Sequence, residues 1–235
     1  MSVLQVKNVG KSFGSLRAVD DVTFSLDQGD NLAIIGGSGC GKTTLAKMIM
    51  GLIPPDQGVI EAPLHSLQMV FQDPNQSLDP LWNIREILKE GLWRQHRVSV
   101  PEVNEKLEQN LVAVGLSKNV LQRFPHEFSG GERQRIAIAR ALLASPKVLV
   151  LDEAVSALDT LVQKQIIDLL KKLKRDFDLT YIFISHNLRL VRQFSDKIAV
   201  MDQGKIVEEG LVAEVLKNPA HPCTQQLLQA AFYKK

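Results

Sequence analysis

The sequence predicts an α/β fold: a mostly parallel sheet covered by helices, opened by an antiparallel β segment and interrupted by a helical insertion. Compact apolar runs of strand length at 67–71, 148–151 and 181–185 have the unbroken hydrophobicity of strands buried on both faces. Between the last two, Leu161, Ile166, Ile167, Leu169, Leu170 and Leu173 recur at near-helical spacing, so strand alternates with helix and right-handed crossovers follow. The stretch from 73 to about 128 differs. It holds Pro74, Pro80, Pro101 and Pro125 and sets its apolar residues on helical patterns such as Ile84-Ile87-Leu88 and Leu107-Leu111-Val114.

Taken in order, residues 3–9 and 19–26 carry alternating or β-branched apolar side chains, which predicts an antiparallel start, and Asp27-Gln28-Gly29-Asp30 is a turn between strands. Asn31-Leu32-Ala33-Ile34-Ile35 is a short strand running into a glycine-rich loop, and residues 44–50 form a helix that ends at Gly51. After the strand at 67–71 come the helical insertion, the strand at 148–151, the helix at 161–174 and the strand at 181–185. Ile198-Ala199-Val200-Met201, Asp202-Gln203-Gly204-Lys205 and Ile206-Val207-Glu208-Glu209 read as a closing hairpin. The tail 214–235 is helix, a break at Asn218-Pro219 and His221-Pro222, and helix again.

The length of 235 residues suits one large domain with an insertion. With 28 Lys+Arg against 26 Asp+Glu the formal net charge is only +2, so there is no nucleic-acid footprint, and affinity for polyanions has to come from a local site. No apolar stretch approaches the roughly 20 residues of a membrane-spanning helix. The start, Met1-Ser2-Val3-Leu4-Gln5-Val6-Lys7, lacks the apolar core of a secretory signal, an expectation of a cytosolic chain. Two cysteines, Cys40 and Cys223, are too few and too far apart for a disulfide framework or a Cys-rich metal site.

Gly36-Gly37-Ser38-Gly39-Cys40-Gly41-Lys42-Thr43 fits the phosphate-loop pattern G-x-x-x-x-G-K-[ST], with a strand before it and a helix after it. Glycines let backbone N–H groups turn inward around phosphate oxygens, the helix N-terminus adds its positive end, and Lys42 supplies an ammonium for the β- and γ-phosphates. Thr43 is the candidate Mg²⁺ ligand through its hydroxyl, and Cys40 fills the loop without a redox role. Val148-Leu149-Val150-Leu151-Asp152-Glu153 then sets two acids at the end of a buried strand, where ligands sit in a doubly wound sheet. Asp152 is the candidate for organising Mg²⁺, and Glu153 for polarising the water that attacks the γ-phosphate. Alone, a turn acid followed by a helix-capping acid is as good an account; beside the phosphate loop the functional one gains. His186 leaves the strand 181–185 at the same edge, within reach of a γ-phosphate, although a lone histidine at a strand end is more often structural or solvated.

Phe128-Ser129-Gly130-Gly131-Glu132-Arg133-Gln134-Arg135 precedes a helix, and Ser129 with Glu132 has capping-box spacing. The cap does not account for two consecutive glycines, which leave backbone amides and the helix dipole open to an outside anion.

Ser129-Gly130-Gly131, the phosphate loop, Gln72 after a strand, Asp152-Glu153, Ser156-Ala157-Leu158-Asp159 and His186, in this order, resemble the nucleotide-binding subunit of an ABC transporter over nearly the whole chain. The resemblance implies a P-loop NTPase (RecA-like) core with an antiparallel β subdomain and an inserted helical subdomain. Its single ABC ATPase domain, 1–235, divides into a core of 1–72 and 141–217, a helical part of 73–140 and a tail of 218–235. It implies two such subunits head to tail, each ATP held between the phosphate loop of one, extended by Thr44, and the Ser129-Gly130-Gly131-Glu132 segment of the other. Asp159 then lies at that interface, Phe13 stacks on adenine, and Gln72 touches Mg²⁺ and links the nucleotide to two transmembrane permease subunits. An aromatic such as Phe13 near a strand end is core about as often as platform. Glu132 stands where the family usually has Gln, and Phe128 where Leu is common. A carboxylate there is repelled by the γ-phosphate unless, as a capping acid, it points back to the helix backbone.

Phe71-Gln72-Asp73-Pro74, Ser77-Leu78-Asp79-Pro80, Ile184-Ser185-His186-Asn187-Leu188, Lys205-Ile206-Val207-Glu208-Glu209-Gly210 and Asn218-Pro219-Ala220-His221-Pro222-Cys223-Thr224 resemble the branch that imports dipeptides, oligopeptides and nickel. Cys223 replaces the Tyr of the last element. Thr43 and Gln72 are only 29 positions apart, so a sheet hairpin before Gln72 is expected to be trimmed. Two cysteines cannot hold the iron–sulfur cluster that some relatives carry in a longer tail. The resemblance implies an ATPase on the cytoplasmic face of a prokaryotic membrane, paired with a sister ATP-binding subunit and served indirectly by an extracytoplasmic solute-binding protein, with peptide and nickel both open. A soluble non-transport ABC ATPase and a binding-only partner of a more active sister subunit are the alternatives.

Overall fold

The computed structural model describes residues 2–93 and 100–232. Two long strands open the chain, β1 (Ser2–Phe13) and β2 (Leu16–Asp27), paired antiparallel as expected. The hairpin turns at Gly14-Ser15, whereas 27–30, expected as a turn between strands, carries the chain from this sheet into the next one. There β3 (Asn31–Gly36) is buried along its whole length and leads through the glycine-rich loop into α1 (Lys42–Ile49). A strand not anticipated from the sequence, β4 (Gln57–Glu61), joins the free side of β1 and completes a three-stranded sheet in the order β2-β1-β4.

After β5 (Leu67–Val70) the insertion unfolds as expected into helices: α2 (Pro74–Ser77), α3 (Ile84–Glu90), α4 (Val100–Ala113) and α5 (Gly130–Leu143). The residues singled out on helical spacing, Ile84, Ile87, Leu88, Leu107, Leu111 and Val114, are all fully buried among themselves and α5. Asn83 and Glu86 close a capping box at the start of α3. The expected helical part 73–140 thus spans these elements, and its far boundary falls within α5.

The chain then alternates as predicted: β6 (Val148–Asp152), α6 (Thr160–Phe177), β7 (Thr180–Ile184), α7 (Leu188–Phe194), and the hairpin β8 (Lys197–Asp202) with β9 (Lys205–Leu211). The tail is helix, break, helix: α8 (Val212–Lys217) and α9 (Pro222–Phe232), with residues 233–235 of the expected tail outside the described residues. The six-stranded sheet has the order β5-β6-β7-β3-β8-β9, parallel except for the last pair.

The unbroken apolar runs have a simple cause. Alternate residues of each central strand enter different cores: Leu32, Ile34, Val148, Val150, Ile182 and Ile184 face α1 and the antiparallel sheet. Ala33, Ile35, Leu149, Leu151, Tyr181 and Phe183 face the helical side. Each such Leu or Ile contributes about 1.5–3 kcal/mol by leaving water. Among the described residues, no helix is long and apolar enough to cross a membrane.

Candidate functional site

Register decides which side chains meet. Ile34 of β3 is level with Ile184 of β7, Ile184 with Asp152 of β6, and Leu151 with Val70 of β5. The glycine-rich loop after β3, the acids ending β6, His186 after β7 and Gln72 after β5 therefore leave the sheet at one edge, the carboxyl ends of its strands, where α/β folds bind ligands.

In the loop, Gly37, Ser38 and Gly39 are exposed, while Lys42 is buried and its Nζ donates to the carbonyl oxygens of Gly36 (3.0 Å) and Gly37 (2.8 Å). The buried Cys40 Sγ lies 3.6 Å from the same nitrogen. Gly41 caps α1 at φ 106, and a Cβ there would stand 2.1 Å from the Ala18 carbonyl oxygen, so no other residue fits. That contact belongs to a brace that sequence reasoning missed. The β8–β9 turn donates Gly204 N to Cys40 O (3.1 Å) and accepts Asp20 N on Gly204 O (2.9 Å), tying the loop to segments that only folding brings near. The turn itself was legible; its contacts carry no local signal.

Asp152 is buried beside the loop. Burial raises its pKa, and this outweighs the hydrogen bond with the Thr43 side chain that lowers it. Its Oδ1 has no hydrogen-bond partner within the described residues. A buried, unpaired carboxylate oxygen next to a hydroxyl is a hard-oxygen donor set of the kind Mg²⁺ takes, so these residues fit the ion. Gln72 is exposed at the same edge.

Glu153 has φ 52, a left-handed conformation that costs a non-glycine residue energy and recurs at functional sites. It is held there by Glu153 N donating to Ile184 O (3.0 Å) and by Ser156 Oγ donating to Glu153 O (2.8 Å). The carboxylate reaches His186: Nδ1 lies 2.8 Å from Oε1 and as close to Oε2, the latter outside hydrogen-bond geometry. A carboxylate backed by an imidazole is equipped to take a proton from water.

Ser129 caps α5, and Glu132 does turn back. Its Oε2 accepts from Ser129 N (2.9 Å) and Ser129 Oγ (2.7 Å) while Glu132 N donates to Ser129 Oγ (3.4 Å). The Ser129 hydroxyl, then the Ser129 N–H, hold the Glu132 carboxyl below the usual carboxylate range. Gly130 and Gly131 are close to the start of α6, where a Cβ on Gly131 would meet Val162 Cγ1 at 2.6 Å. Asp159 caps α6 through Leu161 N (3.1 Å) and Val162 N (3.0 Å). Phe13 ends β1 with 51% of its surface exposed, and Thr44 is half-buried in α1. Phe13, Ser129 and Asp159 make none of the contacts described between the phosphate loop and the Asp152–Glu153 pair.

The family model described as ABC transporter matches residues 19–156. The chain is 41% identical to the oligopeptide transport ATP-binding protein AppF of Bacillus subtilis, over 97% of this chain and 78% of that protein. It is 45% identical to the probable D,D-dipeptide transport ATP-binding protein DdpF of Escherichia coli, over 94% and 73%. Among solved structures it resembles cbiO1 of Clostridium perfringens, part of the ABC transporter complex cbiONQ, with a TM-score of 0.84 at 25% identity over 92% of this chain and 91% of the other. A dimeric ATP-binding cassette in a post-hydrolysis state with ADP and Pi bound gives 0.78 at 26% identity, over 89% and 98%.

Proposed function

The chain belongs to the ABC transporter family, and from that membership we propose that it is the ATP-hydrolysing subunit that energises a peptide importer. It would act as one of a pair of ATP-binding subunits, the sister being identical or not, at the cytoplasmic face beneath two transmembrane permeases. The carrying observation is that the phosphate loop, Asp152, the Glu153–His186 pair and Gln72 converge on one sheet edge. The peptide assignment is supported by relatives that bear oligopeptide or dipeptide transport in their names, at 39–45% identity. A metal cargo, a soluble ABC ATPase and a binding-only partner have no comparable support.

In this reading the loop amides and Lys42 bind the β- and γ-phosphates, with Lys42 exchanging the Gly36 and Gly37 carbonyls for phosphate oxygens. Thr43, Asp152 and Gln72 would hold Mg²⁺, which would supply positive charge to offset that of the β- and γ-phosphates. Glu153 accepts a proton from the water that attacks the γ-phosphorus in line as the bond to the β-phosphate oxygen breaks. His186 at 2.8 Å orients that carboxylate. Phe13 is the adenine platform. Ser129, Gly130 and Gly131 face ATP carried by the partner subunit, with Asp159 beside them. The domain is divided as 1–72 with 141–217, 73–140 and 218–235.

The deciding experiment is Glu153→Gln. Loss of a general base lowers turnover about 10²- to 10⁴-fold while ATP still binds and raises the melting temperature. Hydrolysis at the ordinary rate would defeat the assignment.

A further inference from the structure

Among the described residues, four of the six buried side-chain polar atoms without a hydrogen-bond partner belong to three side chains: Asp152 Oδ1, Glu153 Oε2, and both Oε1 and Nε2 of Gln134. The two acids have a use in the reading above. Gln134 has none, and it is wholly buried. A carboxamide at that place gives up water at both donor and acceptor, where Leu or Met fills similar space without the loss. Its neighbours on α5 differ: Arg133 donates to Pro125 O at 2.9 Å and Arg135 to Val114 O at 2.6 Å.

Helical spacing puts Gln134 on the face of Gly130 and Gly131, one turn further along. That face is turned to the segment leaving Glu153. Leu158 Cδ2 stands 3.5 Å from where a Cβ on Gly130 would lie, and Val162 borders Gly131. The segment is tightly wound. Ser156 N donates to Glu153 O (3.0 Å), Leu158 N to Val155 O (3.2 Å) and Gln163 Nε2 to Val155 O (3.0 Å), with Ala154 and Val155 buried. It begins at the strained Glu153 and ends at Asp159.

Building on the ATPase reading, we propose that Gln134 is a positioning residue for hydrolysis. When closure around ATP shifts α5 against 154–158, its amide pairs with the backbone of that segment and fixes Glu153 for the attacking water. The unpaired amide of the present arrangement disfavours it relative to the closed one, so the same side chain promotes closure and alignment.

The test uses Gln134→Met, which keeps length without hydrogen-bonding capacity, and Gln134→Leu, in the purified transporter complex. Turnover falls about tenfold, equivalent to about 1.4 kcal/mol, KM for ATP stays within about twofold, and the melting temperature is unchanged or higher. A role in packing alone lowers the melting temperature and leaves turnover per folded molecule intact. A Gln134→Met complex with wild-type turnover overturns the proposal and leaves the ATPase reading standing. A wild-type complex that hydrolyses no ATP removes both.

Discussion

Exchanging Glu132 for glutamine keeps the shape of the α5 cap and removes its charge. One oxygen, Oε2, accepts both Ser129 N at 2.9 Å and Ser129 Oγ at 2.7 Å. An amide oxygen can take the same place, so the loss is the charge assistance and the attraction to the helix N-terminus. The cap lies near solvent, which screens both effects, and about 0.5–1 kcal/mol remains. For a chain of this length that is a fall of about 1–4 °C in melting temperature near neutral pH. The sign with pH follows from the carboxyl being held below its ordinary 4.5 in the folded chain. Its contribution is complete above about pH 5 and is lost as pH falls through the lowered value, so the gap between the two proteins narrows on acidification. Because the carboxylate is turned to Ser129, ATP turnover changes by no more than about threefold, or about 0.7 kcal/mol. Thermal melts at two pH values and phosphate release with the assembled transporter read both quantities. A glutamine variant that melts higher than wild type at neutral pH, or that hydrolyses ATP about a hundredfold faster, would show that Glu132 faces the nucleotide and would refute the reasoning.

Gly41→Ala drives a Cβ to 2.1 Å from the Ala18 carbonyl oxygen at φ 106, so about 2–5 kcal/mol of stability goes, and ATP no longer raises the melting temperature. Unchanged melting with unchanged ATP binding would show that the loop yields freely. Glu208→Gln weakens the acceptor for Ala220 N (2.9 Å), His221 N (3.0 Å) and Thr224 Oγ1 (2.5 Å), which seat the Pro-rich element before α9. Being half-exposed, it costs about 1–2 kcal/mol. Amide exchange quickens in α9 while turnover stays put; exchange confined to other elements would refute the clasp.

The parallel core was legible because burial on both faces keeps polar residues of β3, β6 and β7 to the strand ends, Asn31, Asp152 and Thr180, and leaves their interiors apolar. The antiparallel sheet was only half legible. β1 and β2 run 12 residues each, yet the apolar pattern stops near Val9 and begins again only at Val19. Register shifts lie between Val6 and Val9, and Asn8 (φ 50) and Asp21 (φ 54) break the alternation there, joined by Asn8 Nδ2 and Asp21 Oδ1 at 2.9 Å. β4 escaped notice because only Val59 and Ile60 are apolar in it and its strand character comes from pairing with β1. At the site, adjacency at one sheet edge followed from motif order. The capping box of Ser129 and Glu132 was legible from its spacing; what did not follow was that His186 meets Glu153 or that Gln134 goes unpaired, each a matter of rotamer and packing.

The strand that carries the phosphate loop is third from one edge of its sheet, and both its neighbours come late: β7 begins at Thr180 and β8 at Lys197. In a nascent chain β3, apolar from Leu32 to Ile35, therefore lacks both strand partners for the time taken to synthesise about 150 further residues, roughly 8–30 s at ordinary elongation rates. The brace on the phosphate loop forms only when the β8–β9 turn has docked on Cys40 and Asp20. Strand order thus sets an order of assembly: the phosphate loop is translated before Asp152, Glu153 and His186, yet its brace is complete only after all three.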